Sequence, residues 1–95
     1  MNPRKLKEGV FLDRLGFIIL SILKNNGATN RLSSMTVREI AGVEELGWRE
    51  NTIFKKLKGF RASGLVGCGL KEGRANTYYI TPKGCECLEE ERSMA

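Results

Sequence analysis

The sequence contains no histidine, so the side chain that titrates nearest neutral pH and serves most often as general base or metal ligand is missing. Cysteine is scarce, at Cys68, Cys85 and Cys87, an odd set that does not make a disulfide framework. Cys85-x-Cys87 has no second pair to complete four metal ligands, and on a helix its two side chains point roughly 200° apart, too divergent to bridge each other. Cys68 and Cys85 read as small apolar core residues. With no phosphate-cradling loop of P-loop form either, no cofactor or metal is expected, and no enzyme. Proline is confined to positions 3 and 82, and no repeat or low-complexity tract occurs. A long hydrophobic run is lacking as well. A basic start (Arg4, Lys5, Lys7) precedes "VFLDRLGFIILSIL", but Asp13 and Arg14 interrupt it. The uninterrupted stretch from Leu15 to Leu23 is about half the roughly 20 residues of a membrane span. A soluble cytoplasmic protein without a membrane partner is the expectation.

What is present bounds the answer further. The 95 residues suit one domain, 1–95, with an N-terminal extension over 1–12 and a core over 15–88. Apolar residues at 41% and charged residues at 28% belong to a chain that folds. Net charge is +5 and the pI near 9.4, which favours polyanionic partners, nucleic acid first and an anionic membrane surface second.

Leu15, Ile18, Ile19, Ile22 and Leu23 recur at i, i+3, i+4, i+7 and i+8, the spacing of one buried helical face. Asn25-Asn26-Gly27 ends that helix. Thr36-x-x-Glu39 is a capping box opening a short helix through Val37, Ile40 and Ala41, which Gly42 or Gly47 terminates. A third helix spans Arg49 to Ser63, with Ile53, Leu57 and Phe60 at i, i+4 and i+7 and Gly64 as its stop. Val66, Cys68 and Leu70, then Tyr78 and Ile80, alternate with their neighbours as two antiparallel strands around the turn "KEGRAN". Thr81-Pro82 opens a last helix, 82–92, that buries Cys85 and Leu88 and exposes its acidic end. The fold class is therefore mainly α with a small antiparallel β-hairpin. Phe17, Phe54, Phe60 and Tyr78 join the aliphatic residues in a core that leaves no evident small-molecule pocket.

A short capped helix joined by a turn to a longer one is a helix-turn-helix arrangement. The segments "TVREIAGVEELGWRENTIFKKLKGFRASGLV" and "NTYYITPKG" resemble the winged helix-turn-helix domain of bacterial and phage transcription regulators, nearest to the small PadR- or MarR-like ones. The third helix commonly ends there in an Ala-x-Gly-Leu-Val phrase, and the wing closes with aromatic-x-aliphatic-Thr-x-x-Gly. The resemblance runs from about Leu15 to Leu88 and implies a three-helix core, a wing and a C-terminal helix. It also implies sequence-specific binding of double-stranded DNA in transcription regulation, with the wing placing Lys71, Arg74 and Asn76 beside the duplex. The short final helix departs from the long dimerising helix of those regulators.

The residues support the same reading on their own. At about 100° per residue, Asn51, Lys55 and Lys58 lie opposite the apolar stripe of the third helix, flanked by Thr52 and Lys56. Such a ridge fits the major groove, with its N-terminal residues at base edges and later lysines at phosphates. Arg49, Glu50, Asn51 and Thr52 are the expected base readers, Lys55 and Lys56 the backbone grips, and Arg38 a phosphate contact at the start of the second helix. Trp48 either packs as a hydrophobic staple or stacks on a base. One small domain binds weakly at physiological salt, so a homodimer is expected, with residues 3–12, including Leu6, Val10 and Phe11, and the last helix as the segments left to form it. Origin recognition in replication belongs to the same class of function. The competing class is a winged-helix module that binds protein, which salt dependence separates from a DNA binder.

Overall fold

The structure, a computed structural model, describes residues 12–43 and 47–94, the last three by their backbone alone. Helix α1 (Arg14–Asn25) opens where the carboxylate of Asp13 accepts the N–H of Gly16 at 2.7 Å, and closes at Asn26, whose backbone N–H donates to the carbonyl of Ile22 while the Gly27 N–H donates to that of Lys24. It is the central helix, packed against α2 (Val37–Gly42), strand β3 (Thr77–Ile80) and α4 (Pro82–Met94). Its buried arc is accordingly wider than one stripe. Leu20 is fully buried, and Ile18, expected inside, is half-buried at the edge of the arc.

Strand β1 (Met35–Thr36) leads directly into α2. The capping box forms as the sequence indicates: Glu39 N–H donates to Thr36 Oγ1 at 3.1 Å, and Thr36 N–H donates to Glu39 Oε1 at 2.9 Å. Helix α2 ends at Gly42. Helix α3 (Glu50–Ala62) buries Ile53, Leu57 and Phe60, takes Arg49 as an N-cap without a side-chain bond, and stops at Ser63 before Gly64, at φ 81°.

The hairpin expected from the sequence is part of a three-stranded antiparallel sheet in the order β1-β3-β2, with β2 at Val66–Cys68. Met35 lies opposite Tyr78 and Thr36 opposite Thr77, while Val66, Gly67 and Cys68 pair with Ile80, Tyr79 and Tyr78. The alternation does not continue to Leu70, which is 54% exposed. Past Gly69, whose N–H still donates to the Thr77 carbonyl at 3.0 Å, the chain leaves the ladder, and the N–H of Leu70 donates to the carbonyl of Arg31 at 3.3 Å. At the tip, Glu72 and Ala75 exchange both backbone hydrogen bonds at 3.0 Å around Gly73-Arg74. Gly73 takes φ 63°, the left-handed conformation that a tight hairpin turn demands of its first central residue.

Thr81 joins the ends of two helices. Its Oγ1 accepts the N–H of Gly84 at 3.1 Å, capping α4, and donates to the carbonyl of Gly64 at 2.6 Å. Lys83 Nζ donates to the carbonyl of Ser63 at 2.8 Å. Helix α4 buries Cys87 and Leu88; Cys85, expected inside, is half-buried, as is Cys68. One core results, with Ile19, Leu20, Leu23, Ile40, Ile53, Leu57, Leu65, Ile80 and Leu88 fully buried. Leu12 belongs to it at 4% exposure, so this end of the expected dimer contact is spent inside the monomer; residues 3–11 lie outside the described ones. Phe54 is not a core residue: it is 39% exposed. Among the described residues no helix is long and apolar enough to cross a membrane.

Candidate nucleic-acid interface

The inward stripe of α3 fixes where its other sides face. Asn51, Lys55 and Lys58 fall opposite Ile53, Leu57 and Phe60, and all three are exposed. Arg49 and Thr52 are exposed at the margin of this ridge. The two flanks differ. Glu50 and Phe54 turn toward α2 and the wing, whereas Lys56 turns toward the start of α1.

Lys56 departs from expectation. Its Nζ lies 2.5 Å from Asp13 Oδ2, so it ties α3 to the N-cap of α1 instead of standing with the outward cations. The rotation explains this: Lys56 follows Ile53 by three residues and precedes Leu57 by one, which keeps it close to the buried side. Burial pushes the Asp13 carboxyl up, but the hydrogen bonds from Lys56 and from the Gly16 N–H outweigh it, and the group is held below its ordinary value.

Arg38, exposed at the start of α2, reaches the first turn of α3, with Nε 4.0 Å from Glu50 Oε2. Both side chains are more than half exposed, so the pair contributes little to stability and leaves both groups open to a partner. Lys71, Arg74 and Asn76 are exposed on the wing. Between the wing and the helices lies a cleft of about 510 Å³ that brings Arg38, Glu50, Phe54, Arg74 and Asn76 together over Tyr78. Lys71 is not among its walls. Tyr78 is 3% exposed. Burial raises its phenol pKa and the Cys68 thiol adds to the rise, against the opposing pull of Asn76 and Arg61.

Reasoning from the sequence missed Phe54, although the signal was there. It stands three residues after Asn51 and four before Lys58, inside the outward set. Trp48, at the entrance to α3, is 45% exposed.

A capped helix, a turn, a second helix with a polar outer face, and a hairpin flanking that face define a winged helix-turn-helix protein. No protein-family model matches the chain. It is 35% identical over 71 residues to the DNA-binding protein TubR of Clostridium botulinum C phage, a match spanning 75% of this chain and 85% of that protein. The chain belongs to the TubR family. Its fold is similar to that of TubR from Bacillus megaterium pBM400, with a TM-score of 0.71, 22% identity, and coverage of 84% of this chain and 86% of that one. A PadR family transcription regulator from Clostridium difficile shares the fold at a TM-score of 0.68 and 21% identity, over 86% of each chain.

Proposed function

We propose that this protein binds double-stranded DNA sequence-specifically through α3 and the wing, as a homodimer that regulates transcription. The observation that carries the reading is the two-sidedness of α3: three buried apolar residues inside, an exposed amide and cations outside, with a basic hairpin tip alongside. In this reading Arg49, Glu50, Asn51 and Thr52 meet base edges, Lys55 grips the phosphate backbone, and Arg38, Lys71, Arg74 and Asn76 hold the flanking strands. Lys56 has no part in it. Membership of the TubR family, whose phage member is a DNA-binding protein, supports the same partner. Pairing two copies on a symmetric site supplies the affinity that one small reading head lacks.

Selection of bound sites from random duplex DNA tests the reading. One enriched motif, arranged as two half-sites, is expected. Lys55→Ala and Arg74→Ala should each weaken binding to that motif and lower the slope of log affinity against log salt by about one. No enrichment, or affinities untouched by both substitutions, would refute it. A protein-binding winged helix would instead show little change in affinity with salt.

A further inference from the structure

We propose that Phe54 reads the 5-methyl group of thymine, which makes an A·T pair preferred at a fixed position of the bound sequence; the inference rests on the DNA-binding reading above. The ring is 39% exposed, while the inward residues Ile53, Leu57 and Phe60 are at 5% or less. It therefore stands outside the core on a helix whose other large apolar side chains are buried. Asn51, Phe54, Lys55 and Lys58 follow the i, i+3, i+4, i+7 spacing by which a helix presents one line of contact. Its three polar members carry donors, and Phe54 interrupts them with a surface that makes no hydrogen bond.

In the major groove the apolar group displayed by base edges is the thymine methyl. Glu50, one turn earlier, borders the same cleft as Phe54, and its carboxylate can only accept. The N6 amine of adenine, a donor on the same base pair as that methyl, suits it. Arg74 and Asn76 line the same cleft from the wing, so Phe54 lies between the two elements a duplex would engage together.

Duplexes enriched by the selection are remade with dU replacing dT one position at a time. Loss of the methyl should weaken the wild type about fourfold at one or two positions, the scale of one buried methyl group. Phe54→Ala should bind the dT and dU duplexes equally. Asn51→Ala, though weaker overall, should still discriminate. Thermal melting checks that Phe54→Ala is folded, and Phe54→Leu, which keeps an apolar end, should retain part of the discrimination. Equal binding of both duplexes by the wild type, or a dU penalty that persists undiminished in Phe54→Ala, overturns the inference while leaving DNA binding in place. Failure to enrich any duplex overturns the DNA-binding reading itself.

Discussion

Lys55 and Lys56 are neighbours of identical chemistry with different surroundings, and helix rotation separates them. Lys55 is exposed on the outer ridge; Lys56 is bound to Asp13 at 2.5 Å. The Asp13 carboxyl, held below its ordinary value by Lys56 and the Gly16 N–H despite its partial burial, links this pair to pH. A group that binds its proton less tightly in the folded than in the unfolded chain stabilises the fold above the unfolded pKa, near 3.9, and loses that contribution as pH falls through the lower folded value. Asp13→Asn should therefore melt below the wild type at pH 6, and the gap should narrow as pH falls below about 4. A gap independent of pH would show that the charge of Asp13 is not what the fold uses. Lys56→Ala should produce a similar loss at pH 6 and leave the salt slope of DNA binding unchanged.

The elements owe their boundaries to a few side chains. Thr36 accepts the Glu39 N–H and also sits in β1 opposite Thr77. Thr36→Ala should cost about 1 kcal/mol through the lost cap, seen as a fall of about 4–8 °C in melting temperature, and Thr36→Ser should restore most of it. These local devices were legible in the sequence: the capping box, the Asn-Gly and Ser-Gly helix ends, and Thr-Pro opening α4. So was the apolar stripe of α3, which located the outward Asn51, Lys55 and Lys58. What escaped notice depended on partners distant in the chain. β1 is two residues long, too short for any alternation to register, and exists because β3 offers it a free edge. Leu70 fits the strand pattern but is drawn off by the carbonyl of Arg31. The buried cysteine of α4 is Cys87, since contact with α1 and β3 sets which face of that weakly patterned helix turns inward. Phe54 is the exception, since its place three residues after Asn51 and four before Lys58 is legible locally, whereas hydrophobicity alone says nothing about which side of a helix a residue occupies.

For the whole molecule, charge is the organising quantity. The chain carries +5, and among the described residues exposed cations gather on α3, the wing and the start of α2, with Arg14 and Arg31 exposed elsewhere. The proposed homodimer brings two such surfaces to one duplex. Sedimentation at micromolar concentration is expected to give twice the 10.6 kDa chain mass. If two copies together neutralise six to ten phosphates, specific affinity should drop by about 10³–10⁵ between 50 and 200 mM salt. A mass of one chain, together with a protected site of a single half, would refute the paired arrangement and leave a monomeric reader.

β3 is the last strand to be synthesised and the middle strand in space, bonded to β1 on one side and β2 on the other. It also reaches α1's exit loop, the Ile80 N–H donating to the Ala28 carbonyl at 2.8 Å. A nascent chain cut short before Thr77 can coil its helices but has no sheet, and β1 has nothing to pair with. Local helical contacts can form early, whereas sheet closure must wait for a long-range encounter and comes late. The wing's return strand is thus a completion signal: until it arrives, the chain has the residues for gripping a duplex but no frame to aim them.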